Sequence, residues 1–323
     1  MWKVGDLMSQ FTYLSDDTLE KMKITSSDVA DAIEAALLAK SEGRLHVAPK
    51  SAILPGDGRY MMSTLGVGDD GFIVVKQVTV CPDNPDRGLP SINGAIMVLD
   101  AETGLLRAMV GANWVTAVRT AALSAVAARR LADPSSESVG FIGTGVQARS
   151  HLDAFAALFP LKRIKAFGRG RTNLDALCEK ARSMGLQAEA CDTPEAALRD
   201  VDLVVTSVTL NYEIEPFLDA RWLKPGCFAA ITDLGLPWYP ESMEAFETVV
   251  VDDRKQEKES PKPILPYEQV SGDLTELVSG HVDLTGTGPT AFAFRGIALG
   301  DYAAAVLAVQ NAEASGAGQR ITD

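Results

Sequence analysis

The segment with the clearest structural pattern is Ser138-Val-Gly-Phe-Ile-Gly143-Thr-Gly145-Val-Gln-Ala148-Arg-Ser-His151. It starts with an apolar run, which predicts a short buried strand, and it leads into an apolar-periodic segment, which predicts a helix. Two glycines and a third small residue, Ala148, stand between them in the pattern Gly-x-Gly-x-x-Ala. These are the parts of a dinucleotide-binding turn, in which Gly143 permits the tight turn and Gly145 lets the backbone approach a pyrophosphate.

Predicted strands and helices alternate from this stretch onward, which favours a parallel sheet with helices on both faces. The predicted strands after the glycine turn are 163–167, 188–190, 201–206, 227–231 and 248–252, and the predicted helices are 172–184, 194–198 and 296–312. The charged, proline-bounded segment 253–263 is predicted to be a polar loop.

The first third of the chain is predicted to be mostly β-sheet with one leading helix. Apolar, β-branched segments separated by turn residues cover 60–65, 71–80, 94–100 and 105–110, and the last two predict a hairpin. An alanine-rich helix over 115–131 leads into the alternating region. The chain is therefore assigned to the α/β class, with a Rossmann dinucleotide-binding domain and a smaller α+β domain.

Composition excludes several classes of partner. The chain has 323 residues, a net charge of −13, four cysteines without a C-x-x-C pair and three histidines. Strong negative charge argues against nucleic acid or an anionic membrane surface as a partner. No apolar run approaches the roughly 20 residues of a membrane span, and the first residues lack the apolar core of a signal peptide. We expect a cytoplasmic protein with reduced thiols and no metal centre.

The end of the second predicted strand of the alternating region bears on the choice of cofactor. NAD sites place an acidic residue there to bind the ribose, but this segment contains Arg169 and Arg171 and no acid before Asp175. Two arginines could bind a 2′-phosphate, which favours NADP, although NAD stays possible if backbone groups hold the ribose. Solvated loop charges are the alternative. The residues predicted to bind the cofactor are Thr120, Gly143, Thr144, Gly145, Val146, Gln147, Ala148, Arg169, Arg171, Thr206, Ser207 and Val208.

Three cations of the first third lie in apolar surroundings. Lys76 interrupts a β-branched strand, so it either snorkels at a sheet edge or points into a cavity. Arg119 lies between small residues of the alanine-rich helix, where it suits carboxylate binding or a buried ion pair. Lys50 follows a proline in an extended segment and by itself would be a surface lysine.

Several segments resemble the ornithine cyclodeaminase/μ-crystallin family. The resemblance is carried by the strand 72–76, by Val115-Thr-Ala-Val-Arg119-Thr-Ala-Ala-Leu-Ser124 and by the glycine turn, and it extends to 84–90, 222–226 and 294–301. It implies a homodimer, a substrate and dimerisation domain made of residues 1–120 and 302–323, and a Rossmann domain made of residues 121–301. It also implies NAD(H) or NADP(H) as cofactor and reactions that pass through an imine of a 2-oxo acid.

The resemblance assigns roles to individual residues. Lys76 matches the family's active-site lysine and Arg119 its carboxylate-binding arginine, whereas Lys50 stands where the family has an arginine. Asp233 matches the catalytic aspartate of cyclodeaminases, but its turn, Ile231-Thr-Asp-Leu-Gly235, lacks the family's paired glycines. That departure argues against cyclodeaminase chemistry.

The sequence therefore predicts an NAD(P)H-dependent imine reductase that acts on a small imino or 2-oxo acid. Lys50, Arg59 and Arg119 are the predicted substrate-binding residues, and Lys76 and Asp233 the predicted catalytic residues. Arg59, together with His46, could hold a second carboxylate, which would favour the reduction of iminosuccinate to aspartate. The alternatives are an ornithine cyclodeaminase and a non-catalytic NADP-binding protein like μ-crystallin.

Overall fold

A computed structural model describes residues 10–210 and 212–322, and these form two compact units. The first unit contains the described residues up to Arg119 and from Ile297 onward, and the second contains Thr120–Gly296. The domain boundaries predicted from the sequence fell after residues 120 and 301. The second of these lies inside the last helix, Ala298–Ser315, so the structure places Asp301 in the first unit rather than the second.

Strands dominate the chain before the glycine turn. The strands are β1 Gln10–Leu14, β2 Leu45–Val47, β3 Ser51–Ile53, β4 Tyr60–Gly68, β5 Phe72–Val80, β6 Ile92–Asp100 and β7 Leu106–Gly111. The helices are α1 Asp16–Lys21, α2 Ser26–Ser41 and α3 Ala112–Leu131. From Ser138, the elements alternate as β8 Ser138–Ile142, α4 Val146–Leu158, β9 Arg163–Phe167, α5 Arg171–Ser183, β10 Gln187–Ala190, α6 Pro194–Leu198, β11 Leu203–Thr206 and β12 Phe228–Ile231. The remainder is β13 Thr248–Val251, α7 Arg254–Glu259, β14 Gly272–Asp273, α8 Leu274–Val278, β15 Thr290–Ala293, α9 Ala298–Ser315 and β16 Gln319–Thr322.

The first unit is built on a mixed sheet in the order β16-β1-β7-β6-β5-β4-β2, with β3 also paired to β4. Strand β5 lies between β4 and β6, so it is an interior strand. Its alternate residues Val74, Lys76 and Val78 are all buried, which places the lysine on the same face as two valines. Helix α9 packs against β4 and β5, and α2 packs against α9. This arrangement excludes the first alternative for Lys76, because an interior strand has no sheet edge at which a lysine could snorkel.

The second unit contains a sheet of parallel strands in the order β10-β9-β8-β11-β12-β15-β13-β14. In a parallel sheet, all strands end at the same edge, and ligands bind in the loops there. The loops after β8, β9, β11 and β12 therefore form one edge that carries the glycine turn, Arg169, Ser207 and Asp233. Strands β8, β11, β12 and β13 are fully buried runs, as expected where a sheet is covered on both faces.

Two local predictions differ from the structure. The predicted polar loop 253–263 contains a helix, α7, whose first turn is capped by Asp253, since its carboxylate accepts from the Gln256 backbone N–H at 2.9 Å. Strands β1 and β16, which lie close to the two ends of the described chain, were not predicted. They pair with each other, and β1 also pairs with β7, so their partners are remote in sequence.

In the described chain, we find no helix that combines the length and the hydropathy of a membrane span.

Candidate active site

The glycine turn joins β8 to α4 in the second unit. Gly143 has a φ of 87°, a region that favours glycine, and a β-carbon there would lie 2.6 Å from the backbone oxygen of Ser207. Gly145 is the N-cap of α4 and makes no side-chain cap hydrogen bond. A β-carbon at Gly145 would meet no described atom within 4 Å, so the start of α4 borders open space. A 13-residue helix that begins in this way offers the positive end of its dipole to an anion.

The neighbouring turn residues hold the glycines in place. Ala148 is completely buried, which lets α4 pack closely against the sheet. Thr144 is 5% exposed, and a β-carbon at Gly168 would lie 2.7 Å from its hydroxyl oxygen, so the turn is pressed against the end of β9. Val146 is 56% exposed and faces solvent. The turn is therefore closely packed on its protein side and open at Gly145 and Val146.

The two arginines after β9 have different surroundings. Arg171 is exposed and its Nε lies 3.0 Å from the carboxylate of Asp175, one helical turn further along α5. Arg169 is also exposed, and it makes no hydrogen bond or ion pair with the described residues. Only Arg169 therefore has its guanidinium available for a phosphate, and Gly170, the N-cap of α5, adds no competing side chain.

The three residues predicted after β11 do not behave alike. Thr206 is fully buried and its hydroxyl donates to Asp233 at 3.1 Å, so it is committed within the protein. The backbone N–H of Val208 donates to the same carboxylate at 3.1 Å. The Ser207 hydroxyl oxygen, by contrast, is buried and lacks a hydrogen-bond partner within the described chain. Since a buried polar atom normally has a partner, Ser207 is the member of this group that is suited to contact a ligand.

Asp233 follows β12 and is 1% exposed. Burial raises the pKa of its carboxyl to about 6, against the opposing effect of the hydrogen bonds from Val208 and Thr206. Both carboxylate oxygens accept hydrogen bonds from the β11 end of the sheet. The next residue, Leu234, has a φ of 60°, a strained backbone for a branched side chain. Through these hydrogen bonds, Asp233 connects the end of β12 to the end of β11.

His151, on α4, is fully buried and links the glycine turn to α3. Its Nδ1 lies 2.8 Å from the Gln147 carbonyl oxygen, which can only accept, so Nδ1 carries the proton. Its Nε2 therefore accepts from the hydroxyl of Ser124, at 2.9 Å. Burial lowers the pKa of His151 to about 4, so the ring is neutral at physiological pH.

In the first unit, Lys76 is the centre of a buried polar cluster. The side chain is 2% exposed, and its Nζ donates to Thr116 Oγ1 at 2.6 Å and to Asp301 Oδ1 at 2.8 Å. Burial lowers the pKa of the Lys76 ammonium to about 8. The charge of Asp301 opposes that decrease, whereas those of Arg119 and Lys50 add to it. An ammonium with such a pKa can give up a proton near neutral pH.

Arg119 shares the same carboxylate. It is 7% exposed, and its Nε lies 3.1 Å from Asp301 Oδ1 in ion-pair contact. Its Nη1 is buried and has no hydrogen-bond partner among residues 10–210 and 212–322. Two cations around one aspartate leave a net positive charge, and the unused Nη1 donor is the group that an incoming carboxylate would satisfy.

The remaining predicted cations are less closely associated with this cluster. Lys50 is half-buried and close enough to lower the pKa of Lys76. Arg59 is exposed in the turn before β4, where its Nη2 pairs with Asp57 Oδ2 at 2.6 Å. His46 is exposed on β2. The structure therefore brings Lys50, Lys76 and Arg119 together, but it gives Arg59 a different partner.

Comparison with known proteins decides the family. The model of the ornithine cyclodeaminase/mu-crystallin family matches residues 13–316, nearly the whole chain. The chain belongs to this family. The resemblance that the sequence predicted is therefore confirmed, and so is the α/β fold with a Rossmann domain.

Similar proteins match this chain over almost its full length. A ketimine reductase mu-crystallin of Rattus norvegicus is 29% identical over 91% of this chain and 95% of its own. The structure of a Delta(1)-pyrroline-2-carboxylate reductase of Thermococcus litoralis with NADH and L-proline has a TM-score of 0.88, 24% identity, and covers 96% of this chain and 100% of its own. An archaeal alanine dehydrogenase dimer with bound NAD has a TM-score of 0.86 and 25% identity, and it covers 97% of this chain and 99% of its own.

Membership of the ornithine cyclodeaminase/mu-crystallin family makes the chain an NAD(P)-dependent enzyme that acts on C=N or CH–NH2 bonds. The residues at the carboxyl edge of the parallel sheet fit the cofactor class. The open N-terminus of α4 suits a pyrophosphate, and the unpartnered Ser207 hydroxyl suits a further polar contact. Within the described chain, no group of three His, Cys, Asp or Glu side chains could hold a metal ion.

The sequence alone does not single out two buried polar residues that the structure shows, Asp301 and His151. Asp301 is the last residue of the segment 294–301 that carries the family resemblance, and an acid within the apolar run of α9 is itself a signal, since buried carboxylates need partners. His151 is the last residue of the glycine-turn stretch and lies in the predicted helix that follows. Its signal was the position, one turn after Gln147 on the face that also carries the buried Leu152 and Phe155.

Proposed function

We propose that this protein reduces the imine of a 2-oxo acid to the corresponding amino acid with NADH or NADPH. The observation that carries the proposal is the buried cluster of Lys76, Arg119 and Asp301, in which Arg119 keeps a buried donor without a partner. A dinucleotide turn in the second unit and an anion-binding cluster in the first are the two components that such a reaction requires.

Arg119 is assigned to the α-carboxylate of the substrate. A planar guanidinium binds a carboxylate through charge-assisted hydrogen bonds, and burial strengthens each of them. Fixing the carboxylate next to the imine orients the C=N bond and lowers the entropic cost of reaching the transition state. Asp301 neutralises part of the positive charge, so the cluster binds a single carboxylate without the cost of two uncompensated buried cations.

Lys76 is assigned the role of proton donor to the imine nitrogen. When bound, the reduced nicotinamide supplies a hydride to the imine carbon. The imine nitrogen must gain a proton at the same time, and the ammonium of Lys76, with a pKa of about 8, is matched to donate it near neutral pH. The hydride converts C=N into CH–N, and the proton from Nζ completes the amine. Lys76 is then neutral and is reprotonated from water.

The substrate proposal is a monocarboxylate ketimine rather than iminosuccinate. The prediction of iminosuccinate depended on Arg59 and His46 as partners of a second carboxylate, but Arg59 is exposed and already paired with Asp57. A cyclic imine such as pyrroline-2-carboxylate needs one carboxylate site and an apolar surround. The name of the mu-crystallin relative as a ketimine reductase supports this choice.

Asp233 bears on the cyclodeaminase alternative. Its pKa of about 6 suits acid–base work, which is what that reaction would require of it. Its carboxylate is, however, occupied by Thr206 and Val208 of its own unit. We therefore assign Asp233 to the architecture of the cofactor unit and keep cyclodeamination as an outcome of the test.

We also propose a homodimer that forms on the outer face of the first unit's sheet. Directly paired residues of β4, β5, β6 and β7 place an apolar row across this face, made of Leu65, Val75, Met97 and Met109. Leu65 is 45% and Met97 42% exposed, and such a contiguous exposed apolar row is typical of an interaction surface. Light scattering should give twice the mass of the chain, and Met97→Lys should shift that mass toward a monomer.

A steady-state screen tests the reaction. NADH and NADPH should each be combined with pyrroline-2-carboxylate, with pyruvate plus ammonia, and with oxaloacetate plus ammonia. We expect turnover on the cyclic imine to exceed the other two. Ornithine should be screened separately for release of ammonia without net change in NADH, the outcome that would select the cyclodeaminase.

Two variants and one binding measurement make the screen decisive. Lys76→Met should reduce kcat on the preferred imine by about a hundredfold or more, since general-acid catalysis typically contributes that much. Lys21→Met, which changes a lysine on the surface, serves as the matched control. Tight cofactor binding without turnover on any imine would reject the proposal and favour the non-catalytic alternative.

A further inference from the structure

Asp301 makes more contacts than a simple counter-ion of Lys76 would. It is 3% exposed, on the face of α9 that packs against β4 and β5. Its Oδ1 accepts from Lys76 Nζ at 2.8 Å and lies 3.1 Å from Arg119 Nε. Its Oδ2 accepts from Thr64 Oγ1 at 3.0 Å. One carboxylate thus connects the strand of the lysine, the helix of the arginine and a neighbouring strand.

The geometry points to Asp301 as a positioning residue that fixes Lys76 and Arg119 on one carboxylate and thereby leaves their remaining donors for the substrate. An ammonium has three hydrogens, and two of those of Lys76 go to Thr116 and to Asp301, which leaves one for the substrate. The guanidinium of Arg119 is in ion-pair contact with Asp301 through Nε, and its buried Nη1 has no hydrogen-bond partner within the described chain, so Nη1 is a donor left for the substrate. The inference rests on the proposed function for its kinetic test, because it assigns the two donors to the substrate of that reaction.

The charges around Lys76 also determine the effect of Asp301 on the pKa of the lysine. The charged groups that face Lys76 are Asp301 of α9, Arg119 of α3 and Lys50 of the segment between β2 and β3, and the hydroxyl of Thr116 accepts from it. Only one of the three charges is negative. Without it, burial and two neighbouring cations would all disfavour the ammonium, and Lys76 would lose its proton at lower pH.

The carboxylate itself is stable in this setting. Burial alone would raise the pKa of Asp301, but the charges of Lys76 and Arg119, with the hydrogen bonds from Lys76 and Thr64, more than offset burial and lower it. Asp301 therefore stays ionised throughout the pH range in which Lys76 titrates. The pH dependence of the site then follows the lysine and not the aspartate.

The pH profile of Asp301→Asn tests the inference. The wild-type enzyme should lose kcat/KM on the basic side near pH 8, where Lys76 loses its proton. In Asp301→Asn this basic limb should move to lower pH by about one unit or more, because the stabilising charge is gone. At pH 7.5 kcat should fall about threefold or more and recover as the pH is lowered, while KM changes less. A variant that merely loosened the fold would lower kcat at every pH without moving the limb.

The second measurement needs no catalytic activity and separates this inference from the proposed function. Asp301→Asn leaves two buried cations without a carboxylate, and that variant could fail to fold. We expect the double variant Lys76→Met with Asp301→Asn to have a higher Tm than Asp301→Asn alone, because one uncompensated charge is removed with its partner. If Asp301→Asn is insoluble and the double variant is expressed as folded protein, that result would also support the coupling of Lys76 and Asp301.

Two results would overturn the inference. One is a folded Asp301→Asn enzyme whose basic limb coincides with that of the wild type. The other is a double variant no more stable than Asp301→Asn alone, which would show that the lysine and the aspartate are not coupled. An inactive wild-type enzyme that nonetheless shows the coupling would reject the proposed reaction and leave the positioning role intact.

Discussion

The backbone oxygen of Ser207 lies 2.6 Å from the point that a β-carbon at Gly143 would occupy. The contact joins the loop after β8 to the loop after β11, and the φ of 87° at Gly143 would add strain to any other residue. Gly143→Ala should therefore lower stability by about 2 kcal/mol or more, measured as a decrease of Tm in the absence of cofactor. A variant with wild-type Tm would show that the two loops can separate without cost.

Substitution of Gly145 should weaken cofactor binding without lowering stability. Its φ of −76° is acceptable to alanine, and a β-carbon would meet no described atom within 4 Å. Gly145→Ala should fold with an unchanged Tm and bind NADH or NADPH at least about tenfold more weakly, since the methyl group occupies the approach to the pyrophosphate. Titration of cofactor fluorescence measures this, and Gly143→Ala is the matched comparison. Unchanged affinity in Gly145→Ala would place the pyrophosphate elsewhere.

Arg169 and Arg171 form a second matched pair. Because Arg169 has no ion-pair partner within the described chain and Arg171 contacts Asp175, only Arg169 is poised for a 2′-phosphate. Arg169→Ala should weaken NADPH by about tenfold or more and NADH only slightly, which corresponds to one charge-assisted contact. Arg171→Ala should change both affinities little. Equal weakening of the two cofactors by Arg169→Ala would reject the phosphate assignment.

The parts of this protein that the sequence predicted well are those encoded locally. The glycine turn needs only a buried strand, two glycines and a small residue in consecutive positions, and strand β9 and helix α6 were predicted with the bounds that the structure shows. The alternation of strands and helices likewise requires no knowledge of distant residues. Helix α7 was missed because six polar residues carry no apolar period, and its cap by Asp253 becomes apparent only with the backbone in place.

The candidate site depends on contacts that are remote along the chain. The sequence could not decide between an edge and an interior position for Lys76, because that depends on which strands flank β5. Its partner Asp301 is 225 positions away, so no spacing rule connects them. Arg59 was expected at the site because of its charge alone, and the structure shows that a neighbour two positions away, Asp57, pairs with it. Residue type identified the candidates, whereas topology determined which of them meet.

Arg119 should affect substrate affinity more than cofactor affinity. Replacing it by alanine removes the unpartnered Nη1 donor and leaves Asp301 with Lys76, so the fold keeps a neutral pair. Arg119→Ala should raise KM for the imine and lower kcat/KM by about ten- to a hundredfold, as expected for charge-assisted hydrogen bonds. Arg107→Ala, which removes an arginine paired with Glu313, is the control in the same unit. Wild-type KM and kcat in Arg119→Ala would refute the carboxylate assignment.

Asp233 should give the protein a measurable pH dependence of stability. Its pKa is raised to about 6 by burial, above the value of 3.8 for an unperturbed aspartate, so the folded state binds the proton more tightly than the unfolded state. The contribution of this group to stability is therefore fully present below pH 3.8 and is lost as the pH rises through 6. A change of about two units corresponds to at most about 3 kcal/mol.

Asp233→Asn should remove that dependence, because an amide does not ionise. The Tm of the wild type relative to Asp233→Asn should decrease between pH 4.5 and pH 7, and calorimetry at both values measures the difference. Asp86→Asn, at an exposed site, should run parallel to the wild type. If the Tm difference between the wild type and Asp233→Asn is the same at both pH values, the Asp233 carboxyl is not titrating in this range. The hydrogen bonds from Thr206 and Val208 would then outweigh burial and hold the carboxylate ionised between pH 4.5 and pH 7.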